Sequence, residues 1–197
     1  MLLFAAVTAL TLFGYHWIVP DASDWKIDED QNVPVLHLVT AKGPLPGPRR
    51  PVQFAIAQTP EFRAVTLTAD VRPLGRSLLI VFAYRDPSHF DYAHLSIDTA
   101  IAQPFHNGIF HVFGGERVRI SPQTGPPAFP AGNRWYHVRL RFDGATGKVQ
   151  VDVDGRPVPA LEAVDLSLNS GRVGIGSFDE TADFRNVKIE GIPVSGS

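Results

Sequence analysis

The amino-acid sequence predicts an all-β protein in which two antiparallel sheets form a sandwich. Three observations predict it. Apolar and polar residues alternate along most of the chain from residue 25 onward, turn-forming residues separate these runs, and no segment there has a clear helical period. Ten or eleven short strands without an internal repeat favour a sandwich or barrel over a propeller or solenoid.

The composition describes a globular chain and excludes several functions. The 197 residues carry a formal net charge of -2, and 44% of them are hydrophobic. We expect no nucleic-acid partner, because no basic excess is available to neutralise phosphates. The chain has no Cys, which excludes disulfides, thiol nucleophiles and cysteine-ligated metals.

The first element is an apolar run that is uncharged up to Pro20. Such a run is typical of a secretory signal or a short membrane span. We therefore expect residues 1–21 to be a signal peptide or membrane anchor, residues 22–197 to be the folded domain, and the protein to be secreted or periplasmic. The alternative is a buried N-terminal strand or helix, because no Lys or Arg precedes the run and no clean cleavage site follows it.

The strands of the body follow from alternation. In the 63–72 run, every second residue from Val65 to Val71 is apolar, and the 134–142 and 148–154 runs alternate in the same way. Hairpin turns are predicted at 85–89, at Gly114-Gly115 and at 143–147. Further strands are predicted at 35–40, 52–57, 77–85, 90–98, 108–113, 116–120, 172–178 and 183–190. The Pro-rich stretches 43–48 and 122–130 are predicted to be loops.

Short motifs in the body resemble, in order, those of a known fold family. They are Asp24-Trp25-Lys26-Ile27, the strand from Phe62 to Arg72, Gly132-Asn133-Arg134-Trp135, Val151-Asp152-Val153-Asp154-Gly155, Gly171-Arg172-Val173-Gly174-Ile175-Gly176 and Asp183-Phe184-Arg185-Asn186-Val187. Together they are similar to the concanavalin A-like jelly rolls, in the branch of laminin-G-like domains and 3-keto-disaccharide hydrolases. The resemblance covers residues 24–191 and implies a jelly-roll sandwich. It does not fix an activity, because this fold carries lectins, glycosidases and scaffolding modules.

The resemblance also implies a concave, often sugar-binding sheet that contains the strands 77–120 and 172–178, with 134–142 and 148–154 in the other sheet. Alternation puts Ala93, Leu95 and Ile97 in the core and turns their neighbours outward. Phe110 and Val112 are interpreted as core, which turns His111 outward. The candidate ligand-binding residues are Arg85, Tyr92, His94, His111 and Arg119.

These residues offer the groups that sugar recognition uses: aromatic rings for stacking, and planar donors for hydroxyl or carboxylate groups. The sequence therefore predicts a carbohydrate-binding, lectin-like module of the cell envelope or exterior. The alternative at this face is an ordinary solvated sheet surface.

Two other functions stay open. A sugar hydrolase of the 3-keto-disaccharide type would use His94 as a general base, or an acid such as Asp98 or Glu116. The Glu-x-Asp-x-Glu strand of the jelly-roll glucanases is absent, which argues against their two-carboxylate mechanism. The third possibility is a structural or adhesive laminin-G-like domain without a small ligand.

Metal motifs are missing from the sequence. The seven histidines form no His-x-His or His-Glu-x-x-His pattern. His106 and His111 are five residues apart, a spacing that puts them on opposite faces of a strand. We expect no cofactor, although the fold class admits a structural calcium ion, for which Asp154, Asp179 and Asp183 are the candidate ligands.

Overall fold

The computed structural model describes residues 8–43, 46–99 and 102–195. Within these residues fifteen β-strands form two antiparallel sheets, which confirms the predicted all-β jelly-roll sandwich. A 3-10 turn at Ala22–Asp24 and a four-residue helix, α1 (Gln103–His106), complete the described secondary structure. Neither is long enough to cross a bilayer.

The first sheet has eight strands in the described residues. From edge to edge they are β1 (Thr8–Leu12), β2 (Tyr15–Val19), β5 (Gln53–Ala57), β14 (Arg172–Ser177), β7 (Ser77–Asp86), β8 (His89–Ser96), β9 (Gly108–Phe113) and β10 (Arg117–Arg119).

The second sheet has seven strands in the same described ranges. Their order is β13 (Arg156–Val164), β12 (Lys148–Val153), β11 (Tyr136–Asp143), β6 (Phe62–Pro73), β15 (Ala182–Pro193), β4 (Val33–Leu38) and β3 (Trp25–Asp30). The strands assigned to each sheet from the sequence lie in the sheets expected.

The core lies between the sheets. On β6 the side chains from Val65 to Val71 at every second position are buried. Their partners on the neighbouring strand β11, which are buried on the same face, are Tyr136, Val138, Leu140 and Phe142. This alternation is the one read from the sequence, because one side of the seven-stranded sheet faces solvent.

The central strands of the eight-stranded sheet depart from simple alternation. Every residue of β7 from Leu78 to Ala83 is buried, and so is nearly all of β8. Leu78, Ile80 and Phe82 belong to the main core, whereas Leu79 and Val81 belong to a second apolar cluster on the outer face. A sheet buried on both faces has continuous apolar strands.

The predicted hairpins at 85–89, 114–115 and 143–147 are confirmed by the pairing of β7 with β8, β9 with β10 and β11 with β12. Strand β13 was not predicted. Its sequence contains Pro157 and Pro159, and a proline in a strand is tolerated chiefly at a sheet edge, where β13 lies.

The N-terminal run forms a hairpin of the eight-stranded sheet. Trp17 is fully buried and its Nε1 donates to the carbonyl of Leu12 at 3.0 Å. The Tyr15 hydroxyl accepts from the backbone nitrogen of Ile189 at 2.9 Å, which ties the hairpin to β15. This arrangement matches the alternative of an N-terminal strand. Residues 1–7 lie outside the described residues, and export stays a prediction.

Candidate functional site

The outer face of the eight-stranded sheet carries the second apolar cluster. Its buried members are Phe54, Ile56, Leu79, Val81, Phe90, Tyr92, Phe110, Val112 and Phe178. Nine apolar side chains on the side away from the core need a cover, because an exposed patch of this size would be costly in water. The cover leaves two regions on this face. We name them the closed half, which contains Tyr92 and His94, and the open half, which contains Tyr84.

Tyr92 and His94 lie in the closed half. Alternation assigned both to the outer face, and the structure places them there, but Tyr92 is 0% and His94 1% exposed. The Tyr92 ring stacks on Phe110 with centroids 5.2 Å apart, and His94 lies nearly parallel to Phe178 at 6.0 Å. Neither side chain is accessible to a ligand in this arrangement.

Two arginines and Phe178 form the cover of the closed half. The Arg49 and Arg117 guanidinium carbons both lie 4.6 Å from the centre of the Phe178 ring. Arg117 also lies 4.7 Å from the centre of the Phe110 ring. The backbone nitrogen of Arg117 donates to the carbonyl of Arg49 at 3.0 Å, so the Pro-rich loop before β5 reaches β10 across this face.

His94 is held neutral in the closed half. Burial lowers its pKa well below the ordinary value, and the positive charge of Arg117 adds to the effect. One ring nitrogen, Nε2, lies 2.9 Å from the Ser77 hydroxyl, and Nδ1 lies 3.5 Å from the Arg117 guanidinium. A neutral imidazole that accepts at Nδ1 and donates from Nε2 fits both neighbours.

The structure does not bring the five candidate residues together. Tyr92 is paired with Phe110 and Asp91 with His111, so His111 projects from the opposite face to Tyr92. The assumption that Phe110 faces the main core was wrong, because the outer face is also apolar and buried. His111 therefore does not share a surface with Tyr92 and His94.

Arg119 and Arg85 also lie apart from that pair. Arg119 projects from the outer face, but its guanidinium donates to the backbone carbonyls of Asn107, Ser121 and Gln123 and so stabilises the chain around β10. Arg85 is exposed at the end of β7 and donates to the Asn169 side chain at 3.0 Å. Arg85 also lines the open half of the face.

The open half contains a cleft of about 380 Å³, which we name the Tyr84 cleft. Residues 18–20 form one wall and the 85–87 turn another, with Phe54, Ile56, Tyr84 and Arg172 between them. A volume in this range is typical of small-molecule sites. The hollows beside Arg49 and Phe178 in the closed half are smaller, at about 140 and 40 Å³.

Two glycines of β14 lie next to the β5 residues that line this cleft. Gly174 and Gly176 alternate with the core residues Val173 and Ile175, so they face outward. A Cβ at Gly174 would lie 2.6 Å from the terminal carbon of Ile56. Because glycine has no side chain, the side chains of β5 can occupy the space above β14.

The polar groups of the cleft are a phenol, a carboxylate and two guanidiniums. Burial raises the pKa of the Tyr84 hydroxyl, which stays a hydrogen-bond donor at neutral pH. The backbone nitrogen of Ser88 donates to Asp86 at 2.7 Å and lowers the pKa of that carboxyl, which keeps it an anionic acceptor. Arg172 is oriented by donation from Nε to the carbonyl of Thr59 at 3.1 Å.

The candidate acids are spread over the molecule. Asp98 lies 2.5 Å from His106 Nδ1, and Glu116 is exposed in the turn before β10. Each of the three candidate calcium ligands has a cationic partner: Arg134 for Asp154, Arg49 for Asp179, and Arg72 for Asp183.

Solved structures share this fold at low sequence identity. The carbohydrate binding module CBM66 from Bacillus subtilis is 18% identical, with a TM-score of 0.58 over 85% of this chain and 95% of that one. A Bacillus subtilis protein with a galectin-like fold is 17% identical, with a TM-score of 0.52 over 87% of this chain and 88% of that one. The GH43 protein BlXynB from Bacillus licheniformis is 12% identical, with a TM-score of 0.60 over 94% of this chain and 38% of that one.

No family model matches the chain, and no curated protein matches it in sequence. The structural neighbours confirm the concanavalin A-like jelly-roll resemblance. The fold is therefore one that a carbohydrate binding module and a GH43 protein share.

The sequence patterns did not indicate Tyr84, Asp86 and Arg172 as candidate site residues. Strict alternation after Phe82 would turn Tyr84 toward the core. A bulge at Ala83, whose φ is 48°, places Phe82 and Ala83 both in the main core and turns Tyr84 outward. Nothing in the sequence around Ala83 marks that bulge.

Proposed function

We propose that the protein binds carbohydrate in the Tyr84 cleft. The observation that carries the proposal is a cleft of about 380 Å³ in which an accessible tyrosine ring lies among charged hydrogen-bonding groups. A sugar ring has apolar C–H faces and a rim of hydroxyl groups. It can therefore pack against the Tyr84 ring while its hydroxyls pair with Asp86 and Arg172.

The fold supports this proposal in a second way. The comparison with the carbohydrate binding module CBM66 covers 95% of that module's chain. The similarity therefore extends over nearly the whole module. Two larger hollows lie on the other sheet and beside it, at about 470 and 500 Å³. The first has Phe142 as its aromatic residue, which is buried in the core, and the second has none among its lining residues.

The proposed role is binding without a chemical step. The Asp86 carboxylate is held ionised by its backbone partner, whereas a glycosidase acid needs a raised pKa. The lining of the cleft contains no second carboxyl group beside Asp86 among the described residues. Export to the cell envelope or exterior stays a prediction from the apolar N-terminal run.

The test is a glycan array followed by calorimetric titration of the full chain. The sugar should also raise the melting temperature, because a ligand at about 100 times Kd stabilises the folded state by about 2.7 kcal/mol. Tyr84→Ala should abolish the binding, and Tyr84→Phe, which keeps the ring, should retain most of it. Phe105→Ala is the matched control, because it removes an exposed aromatic ring from α1, outside the cleft.

Recovery of the sugar intact would support a binding module, whereas its consumption would replace this proposal with a hydrolase. If no glycan binds, or if Tyr84→Ala binds as tightly as the wild type, the cleft is not a sugar site. The adhesive alternative would then be favoured.

A further inference from the structure

A second polar cluster lies on the other face of β8 and β9. Asp91 and His111 are paired across these strands, and Asp165 follows the end of β13 in the other sheet. His111 Nδ1 lies 2.6 Å from Asp91 Oδ1 and 3.0 Å from Asp165 Oδ2. One potential ligand atom from each residue falls within 4.8 Å of the other two.

The Oδ2 oxygen of Asp91 gives a second, independent indication that a ligand binds here. Asp91 is 0% exposed, and within the described residues its Oδ2 has no hydrogen-bond partner. A buried carboxylate oxygen without a partner costs free energy, and native proteins usually satisfy such an atom with water or an ion.

The charges around the cluster are also unbalanced. Two carboxylates face one imidazole, and no Lys or Arg of the described ranges forms an ion pair with Asp91 or Asp165. Two other carboxyl groups that follow strands of this sheet do have such a cation: Asp179 has Arg49, and Asp98 has Arg76 as well as His106. A cation is the ligand that this excess of negative charge would attract.

We propose that Asp91, His111 and Asp165 bind one divalent transition-metal ion of the Zn²⁺ class. An imidazole nitrogen with two carboxylate oxygens suits Zn²⁺, whereas Ca²⁺ prefers six to eight oxygen ligands. Zinc–ligand bonds of about 2.0–2.2 Å separate neighbouring ligand atoms of a tetrahedral site by roughly 3.3 Å. The observed 2.6 and 3.0 Å would have to widen by about 0.7 and about 0.3 Å, respectively.

Ser167 is placed to orient these ligands. Its backbone nitrogen donates to Asp165 Oδ1 at 2.8 Å, and its hydroxyl donates to the same carboxylate at 2.7 Å. The Ser167 hydroxyl also lies 3.5 Å from His111 Nε2, the nitrogen left over when Nδ1 binds the ion. Metal-binding histidines commonly use their second nitrogen in this way.

The ion would join the two sheets at one end of the sandwich. Asp91 and His111 belong to neighbouring strands of the eight-stranded sheet, and Asp165 continues the edge strand β13 of the seven-stranded sheet. This site uses the face of β8 and β9 opposite to that of Tyr92, so it goes beyond the proposed sugar site and does not depend on it.

The test is calorimetric titration of the chelator-treated full chain with Zn²⁺, and separately with Ca²⁺. We expect one Zn²⁺ per chain, weaker or no Ca²⁺ binding, and a rise in melting temperature with Zn²⁺. Asp91→Asn and His111→Gln should each weaken Zn²⁺ binding by at least about 100-fold, since even the loss of a residue that only hydrogen-bonds to a metal ligand costs about 10- to 100-fold. Co²⁺ should give the visible absorption of a tetrahedral ion in the wild type and lose it in the variants.

The matched control is His137→Gln, which removes a histidine paired with Asp70 at 2.9 Å on the other sheet. It should leave Zn²⁺ binding unchanged. Asp165→Asn lies outside the strands and keeps the test decisive if the buried Asp91→Asn variant does not fold. Three results would overturn the site: no stoichiometric Zn²⁺ binding, equal affinity in wild type and Asp165→Asn, or Ca²⁺ binding as tight as that of Zn²⁺.

Discussion

The two halves of the outer face have similar aromatic residues and different accessibility. In the closed half, Tyr92 is stacked on Phe110 beneath Arg117. In the open half, Tyr84 packs at its edge against Phe54, with centroids 5.7 Å apart, and borders a cleft. An aromatic residue on a sheet face is therefore a binding candidate only where no distant segment of the chain covers it.

The segments that make this difference come from opposite sides of the sheet. The loop that carries Arg49 crosses the closed half, whereas the N-terminal hairpin only borders the open half through residues 18–20. Four experiments test this difference, and they are given in order of decreasing expected effect.

The largest effect is expected for Trp17→Ala, which removes the buried anchor of the hairpin beside the cleft. Truncation of a fully buried tryptophan should lower the free energy of unfolding by about 3–5 kcal/mol. Chemical denaturation of the full chain measures it. A loss below about 1 kcal/mol would show that the hairpin is not part of the folded core, and the open half would then lack one wall.

Tyr92→Ala and Tyr84→Ala should separate the two halves directly. Tyr92 is fully buried, so its truncation should cost about 3–4 kcal/mol, whereas the partly exposed Tyr84 should cost about 1–2 kcal/mol. Urea denaturation of both variants gives the difference. The reverse order would mean that the closed half is the more open of the two.

Arg117→Ala should destabilise the closed half by about 1–2 kcal/mol. The variant removes two stacking contacts, with Phe110 and Phe178, and a 3.3 Å hydrogen bond to the Tyr92 hydroxyl. Arg117→Lys should recover only part of the loss, because an ammonium group lacks the planar guanidinium. Thermal denaturation measures both variants, and sugar binding in the Tyr84 cleft should be unchanged in both.

Acid should weaken the closed half through His94. The folded protein holds this imidazole neutral, with its pKa lowered by burial and by Arg117, whereas the unfolded chain binds a proton at about pH 6.5. The stabilisation is therefore present above that pH and is lost as the pH falls below it. The slope from this one group approaches about 1.4 kcal/mol per pH unit.

Nuclear magnetic resonance of the His94 ring provides the direct measurement. The ring should remain neutral as the pH falls below the ordinary pKa of histidine, about 6.5, where a free histidine becomes protonated. Protonation of His94 near pH 6.5 without loss of structure would show that solvent reaches the closed half.

Much of the fold could be predicted because it rests on local patterns. The alternation in β6 and β11 and the turn residues of 143–147 specified strands, faces and a hairpin from neighbouring residues alone. Gly147 of this turn has a positive φ of 69°, a conformation that favours glycine. The N-terminal run was ambiguous, since an apolar stretch suits a signal segment as well as a buried strand.

The candidate site was predictable only in part. Alternation assigned Tyr92 and His94 to the correct face but could not show that Arg49, more than forty residues earlier, belongs to the loop that covers them. The three proposed metal ligands come from positions 91, 111 and 165, so no spacing rule brings them together.

Local patterning specified the all-β class, most strands and the two sides of each alternating strand, because the period of two acts between adjacent residues. Tertiary contacts set which outward-facing residues are accessible and which carboxylates meet a histidine. The bulge at Ala83, the loop over Tyr92 and the approach of Asp165 to His111 each depend on contacts between distant parts of the chain. The position of the site depends on strand register and on which segments cover the sheet. The local periodicity of the sequence specifies neither.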